Sequence, residues 1–244
     1  MDLILPQPPI IAHRGLSFYA PENTMIAFYK AIEQGWRWIE CDVMLSHDRI
    51  PIVFHDEELA RTTNGVGNPG EFSFSYLQTL DAGRWFRSSF AGEKIPSLEQ
   101  LLLFMQNHPL QLNLEIKPLS GQEILTVEVV LALLKKYPHL RSRILFSSFS
   151  LLALQHLRRL DSTCLIGLLL HEWADSWQET CKDLHCVSIH INQEVLTAEK
   201  VAAVKASNKA LFSYTVNEKQ RAEQLFSWGV DAVFSDAPDR IWPL

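Results

Sequence analysis

Four short polar clusters, each closing an apolar run, carry the residue types in this chain that could do chemistry: His13-Arg14-Gly15, Glu40-Cys41-Asp42, His55-Asp56 and Glu115-Ile116-Lys117. Successive side chains of a β-strand point to opposite faces, so Glu40 projects with Asp42, and Glu115 with Lys117, while Cys41 and Ile116 point away. Strands that bring these ends together put three carboxylates, two histidines and two cations into one cavity. Glu40, Asp42 and Glu115 offer only oxygen ligands, which suits one hard divalent cation, Mg²⁺ or Ca²⁺, and disfavours a closed structural zinc site. Arg14 and Lys117 supply positive charge, and His13 and His55 are suited to move protons near neutral pH. The set reads as a metal-assisted active site for an anionic substrate.

Elements that could position these residues alternate along the chain in the manner of a parallel sheet with helical crossovers. Strands are expected at 9–13, 37–43, 112–117, 144–147, 164–169, 187–190, 211–215 and 231–235. Helices are expected at 23–34, 97–106, 122–136, 149–160, 173–182, 198–206 and 218–228, with Asn23 and Ser97 as N-caps and Gly35 and Gly229 as stops. Eight such strands in 244 residues, 47% hydrophobic, predict a TIM-type (β/α)₈ barrel forming one domain over 1–244. A further apolar segment, 50–55, follows the Glu40-Cys41-Asp42 strand too closely for a parallel crossover. Ser46-His47-Asp48-Arg49 reads instead as a hairpin turn, returning the chain antiparallel and landing His55 beside Glu40 and Asp42. From 57 to 95 periodicity fades into turn residues and aromatics, which predicts a small folded insertion rather than a bare loop. Phe72, Phe74, Tyr76, Trp85, Phe86 and Phe90 are its expected mini-core, packing it onto the barrel rim, with lining of the substrate pocket as the alternative.

A net charge of −6 gives no general attraction to nucleic acid or to an anionic membrane. The stretch Met1-Asp2-Leu3-Ile4-Leu5-Pro6 lacks a basic segment and is broken by Pro6, Pro8 and Pro9, so neither a signal peptide nor an anchor is expected there. No apolar run is long enough to span a bilayer. Cys41, Cys164, Cys181 and Cys186 form no Cys-x-x-Cys pair, as suits a reduced cytoplasm. Nothing in the sequence calls for a protein partner or a particular oligomeric state.

In order and spacing, a longer set of motifs resembles the glycerophosphodiester phosphodiesterase family over nearly the whole chain. They are Ala12-His13-Arg14-Gly15, Pro21-Glu22-Asn23-Thr24, Glu40-Cys41-Asp42-Val43, Val53-Phe54-His55-Asp56, Arg61-Thr62-Thr63-Asn64-Gly65, Leu80-Asp81-Ala82-Gly83, Gly92-Glu93-Lys94-Ile95-Pro96-Ser97-Leu98, Leu114-Glu115-Ile116-Lys117 and Gly229-Val230-Asp231. The length resembles compact bacterial cytoplasmic members. The resemblance implies a TIM-type barrel with an insertion and a small-molecule glycerophosphodiester substrate, with release of glycerol 3-phosphate. It also implies that the glycerol 2-hydroxyl attacks first, giving a cyclic phosphate that water opens, a route that spares the entropy of recruiting water. Tyr214, where a Trp usually precedes Thr215-Val216-Asn217, and Asn68-Pro69-Gly70-Glu71 depart from the family pattern and bear on the choice of leaving alcohol.

Residues outside the set take plainer readings. Glu22 and Asn23 organise the first loop and cap its helix. His171 and His190 lack partners at metal-ligand spacing and are read as structural, and Asp231, Asp236 and Asp239 as strand-end and turn residues. Tyr214 and Asn217 lie where a leaving group could be contacted. A sugar isomerase or aldolase on the same barrel would share the carboxylates but leave Arg14 and Lys117 beside a histidine pair unexplained. A non-catalytic phosphate-binding module would have lost a histidine. A lipid-cleaving relative would bear a membrane-facing apolar helix, and none is evident in the sequence.

Overall fold

The computed structural model describes residues 3–242. The reading of the N-terminal stretch draws partly on Met1 and Asp2, which lie outside the described residues. Eight parallel strands close on themselves: β1 (Ile10–Ala12), β2 (Trp38–Leu45), β4 (Gln111–Ile116), β5 (Ile144–Ser148), β6 (Leu165–Leu170), β7 (Ser188–Asn192), β8 (Ala210–Tyr214) and β9 (Ala232–Ser235). β1 pairs with β9 on one side and with β2 on the other, which seals the barrel. The expected TIM-type fold is therefore present, with every expected strand in place and no bound moved by more than two residues.

Each barrel strand is buried on both faces, which explains its near-continuous apolar runs. All eight residues of β2 are buried. Inward-facing side chains such as Ile11, Trp38, Leu145, Leu165, Phe212 and Phe234 fill the barrel, while the larger core lies between the strands and the surrounding helices. Those helices are α1 (Met25–Glu33), α3 (Leu98–Gln106), α4 (Glu123–Leu134), α5 (Leu151–Leu160), α6 (Trp177–Asp183), α7 (Ala198–Lys205) and α8 (Lys219–Trp228), with α2 (Phe74–Leu77) in the insertion and α9 (Pro238–Ile241) at the end. Ser97 caps α3 as expected and forms a full capping box with Gln100. Gly229, in the left-handed region at φ 109°, stops α8. The α6 helix begins at Trp177, four residues later than expected, because 173–174 is irregular and 175–176 forms a turn. The cap of α1 is Thr24, whose hydroxyl accepts from the Ala27 N–H. Asn23, the expected cap, sits at φ 55° and is turned toward the barrel instead.

β3 (Pro51–Val53) runs antiparallel to β2, with Val43 opposite Val53 and Leu45 opposite Pro51. β1 reaches β2 only at Ala12 opposite Ile39, so the same edge of β2 is open from Val43 onward and β3 occupies it. The turn is closed by the Ser46 N–H donating to the Ile50 carbonyl at 3.1 Å. The segment is thus an extra hairpin strand, as expected, and not a barrel stave.

The insertion that follows has a core of its own, but not the expected aromatic one. Leu59, Leu77, Leu80, Ala82 and Ile95 pack with Met44, Ile52, Phe54 and Leu119, and only Phe72 and Phe74 of the aromatics lean on this cluster. Tyr76 and Trp85 are exposed. The insertion is therefore anchored by aliphatic residues to the hairpin and to the loop after β4, which fixes the hairpin against the barrel mouth.

Candidate active site

A cavity of about 250 Å³ opens at the C-terminal end of the barrel strands. His13, Arg14, Glu40, His55, Glu115 and Lys117 line it, together with Asn113, Tyr214 and Phe149. Asp42 lies directly behind, with its carboxylate against Arg14 and Lys117. All seven residues expected to form the site are thus brought together. Strand periodicity accounts for most of the convergence: Glu40 and Asp42 face inward from β2, Glu115 from β4, and Asp42 is register partner to Glu115. His13 and Lys117 each lie one residue past a strand, and His55 is delivered by the hairpin.

The first loop is bent to serve the carboxylates. Arg14 takes φ 54°, an uncommon conformation for a side-chain-bearing residue, and this aims its N–H at Glu40 Oε2, 2.8 Å away. Gly15 follows at φ 78°, where a Cβ would fall 2.7 Å from the backbone of Ala27, so only glycine lets the loop lie on α1. The Arg14 guanidinium donates to Glu22 at 2.6 Å and has Nε 3.4 Å from Asp42. Asn23 donates to Asp42 at 2.9 Å, so its role is to hold a site carboxylate rather than to cap a helix.

One oxygen from each of Glu40, Asp42 and Glu115 lies within 4.8 Å of the others, and all three residues are buried. Burial, reinforced by Asp42 and Glu115, pushes the Glu40 carboxyl well above the ordinary carboxylate range. Burial and Asp42 likewise raise Glu115 to about 8. Burial acts on Asp42 too, but Arg14, His55 and Lys117 outweigh it and hold that carboxyl low. Glu115 Oε1 is buried with no hydrogen-bond partner. A buried all-oxygen cluster in which Glu40 and Glu115 resist ionisation on their own, with one oxygen unpartnered, fits a hard divalent cation.

Each histidine is held by an aspartate. His13 Nδ1 donates to Asp236 Oδ1 at 2.7 Å, leaving Nε2 toward the cavity, 4.0 Å from Glu40. His55 Nδ1 donates to Asp56 Oδ1 at 2.6 Å, leaving Nε2 in contact with Lys117 Nζ. The hydrogen-bond partner sets the tautomer in both cases. Asp236 accepts in turn from Asn217 Nδ2 at 2.7 Å, and Ser17 Oγ is 2.8 Å away. Burial opposes its ionisation, but the bonds from His13, Asn217 and Ser17 keep its carboxyl below the usual range. Asp56 is likewise resisted by burial yet drawn down to about 2 by Arg61 and His55. Arg61 bridges Asp56 and Glu22, joining the insertion to the first loop.

Asp236 is the functional residue that sequence reasoning missed. Its position one residue past β9, next to β1 in a closed barrel, was the available signal. Asn217 supports Asp236 and does not line the cavity, whereas Tyr214 does. His190 points into the barrel below the cavity, stacked on Phe212 with centroids 5.0 Å apart, and burial depresses it to about 3. Asp231 accepts from Lys205 and the Leu211 N–H, and Asp239 accepts from Tyr19, so both are structural as expected.

Fold and site together define a class: a TIM barrel with a carboxylate-lined, histidine-flanked pocket at the C-terminal ends of its strands, where barrel enzymes place their chemistry. The chain belongs to the glycerophosphoryl diester phosphodiesterase family, whose profile matches residues 13–240. It is 34% identical over 235 residues to the glycerophosphodiester phosphodiesterase of Caldanaerobacter subterraneus, covering 95% of each chain. A glycerophosphodiester phosphodiesterase of Bacillus altitudinis is 33% identical over 238 residues, again with 95% of each chain covered. Among solved structures, an Oleispira antarctica phosphodiesterase in complex with the product sn-glycerol-3-phosphate superposes with a TM-score of 0.91 at 37% identity, covering 96% of this chain and 95% of that one. The family resemblance and the enzyme class drawn from the motifs are borne out.

Proposed function

We propose that the protein hydrolyses glycerophosphodiesters, the deacylated forms of phospholipids, to glycerol 3-phosphate and an alcohol, with one divalent cation, Mg²⁺ or Ca²⁺, held by Glu40, Asp42 and Glu115. The observation that carries this reading is the single cavity where a buried carboxylate cluster meets two cations and two aspartate-held histidines. When bound, a divalent cation supplies Lewis-acid polarisation to the phosphoryl group. Arg14 and Lys117 hold the phosphate oxygens and offset the charge that builds up as oxygen attacks phosphorus.

With each Nδ1 engaged by an aspartate, Nε2 is the atom that carries protons for the reaction. One histidine takes the proton of the attacking oxygen and the other protonates the leaving alcohol. In the favoured route the glycerol 2-oxygen bonds to phosphorus as the bond to the alcohol breaks, giving a cyclic phosphate. Water then opens that ring with the histidine roles exchanged. A 2-deoxy glycerophosphodiester turned over at the normal rate would exclude this route.

Among the described residues no helix is long and apolar enough to cross a membrane. The four cysteines are buried and free, which supports a reducing, cytoplasmic setting. The test is release of glycerol 3-phosphate from glycerophosphocholine and glycerophosphoethanolamine by chelated and then metal-restored protein. Activity should require the added cation and vanish in His13→Ala. No release from either diester by the restored protein would sink the reading.

A further inference from the structure

At the end of the barrel away from the catalytic cavity, the short link from α6 to β7 brings two thiols together. His185 takes the left-handed conformation at φ 48° just past the helix. The Cys186 N–H then donates back to the Cys181 carbonyl at 2.9 Å, and the His185 N–H to the Lys182 carbonyl at 3.1 Å. This nested pair of bonds is a helix stop in which the side chains at the two outer positions pack on each other. Both outer positions are cysteines here, and both are 1% exposed within the core between strands and helices.

The two thiols are not equivalent. Of the pair, Cys181 lines a separate cavity of about 300 Å³, whose walls also carry Lys182, His185 and Lys209. Contact with the Cys186 thiol, helped by the charge of Lys209, draws the Cys181 thiol down against the effect of burial. The facing Cys181 sulfur and burial hold Cys186 up. Cys164, elsewhere in the core, is raised by burial. A thiol with thiolate character beside a cation is the reactive kind, and a cysteine buried in apolar surroundings is inert. Two adjacent thiols left free suit a reversible redox role better than a structural cross-link.

We propose that Cys181 and Cys186 form a thiol–disulfide exchange site for a small anionic disulfide of the glutathione kind, drawn to the cavity by Lys182 and Lys209. The Cys181 thiolate attacks one sulfur of that disulfide, whose S–S bond breaks, and the released thiolate takes up a proton. The Cys186 thiol then gives up its proton and attacks the Cys181 sulfur, which breaks the mixed disulfide and releases the second small thiol. Two protein thiols are oxidised to one disulfide while one small disulfide is reduced to two thiols. No catalytic group takes part, so this site stands apart from the phosphodiesterase reading.

The test uses full-length protein, reduced, freed of reductant and incubated with oxidised glutathione under native conditions. Samples are quenched in acid, denatured, alkylated and mapped by mass spectrometry over time. The expected product is a Cys181–Cys186 disulfide that forms roughly tenfold or more faster than any reaction at Cys164 and is undone by dithiothreitol. Cys186→Ser should stop with one glutathionyl group on Cys181, and in Cys181→Ser the reaction of Cys186 should fall to the rate of Cys164. Glutathionylation of Cys186 at the wild-type rate in Cys181→Ser would overturn the assignment of Cys181 as the attacking thiol. Should neither variant fold, the wild-type map decides alone. Equal modification of Cys181, Cys186 and Cys164, or a mixed disulfide on Cys181 that never closes onto Cys186, would overturn the proposal.

Discussion

The two histidines face one cavity from opposite kinds of structure. His13 stands on a barrel strand end, and its aspartate, Asp236, comes from the far end of the chain, 223 residues away, joined by closure of the barrel. His55 stands on the added hairpin, and its aspartate is the next residue. The tautomer of His13 depends on Asp236 alone among its hydrogen-bond partners. That of His55 is held twice, by Asp56 at Nδ1 and by Lys117 at Nε2. The barrel half is therefore accurate but singly supported. The insertion half is locally built and redundantly held, through Arg61 to Glu22 as well.

The largest expected effect ignores this difference, because each proton transfer needs its own histidine. His13→Ala and His55→Ala should each lower kcat by about 10³-fold or more, and the double variant should be little worse than either single one, as for groups that act as a unit. Steady-state kinetics on glycerophosphocholine check both. A variant at one position retaining a tenth of wild-type activity would break the symmetry of the two halves and leave that histidine a binding role.

The next prediction separates them. Asp236→Asn removes the one acceptor that fixes His13 and should lower kcat about 100-fold with little change in KM. Asp56→Asn leaves Lys117 on His55 and should lower kcat by about tenfold. Equal losses would show that the contact of Lys117 with His55 does not hold its ring. A larger loss in Asp56→Asn would invert the comparison and place the greater dependence on the insertion.

How much of this could be read before the fold was in hand follows the same division. Period-two alternation alone put Glu40 with Asp42 and Glu115 with Lys117, because it needs only that the segments be strands. The short interval before 50–55 sufficed for the hairpin, and with it His55. Barrel closure is a global property, and no local pattern near Asp236 announces that it will meet His13. Asn23 was misread for a related reason: a polar residue before an apolar periodic run looks like a cap, and only the left-handed backbone, with Asp42 opposite, redirects it. The insertion core was misjudged because the aromatics were conspicuous, whereas scattered Leu59, Leu77 and Leu80 do the packing.

The smallest expected effect is on stability, and it gives the two halves opposite pH windows. Glu115, in the barrel half, has its folded pKa raised to about 8 by burial and by Asp42. A carboxyl with a raised folded pKa favours folding below its unfolded value and opposes it progressively as pH climbs through the folded one. Cation-free protein should therefore lose stability between about pH 4.5 and pH 8. Mg²⁺ or Ca²⁺ should restore it, with a rise in Tm that grows across that window by about 2–4 °C per kcal/mol for a chain of this size. Asp56, in the insertion half, is depressed to about 2, so its contribution is present above its ordinary value and is lost as pH falls toward 2, with or without cation. Thermal denaturation from pH 3 to pH 8, with chelator and with added Mg²⁺, measures both. A cation-induced shift that is flat with pH would mean that the carboxylate cluster is already ionised without a cation. The barrel half would then have some other source of positive charge than the one proposed for it.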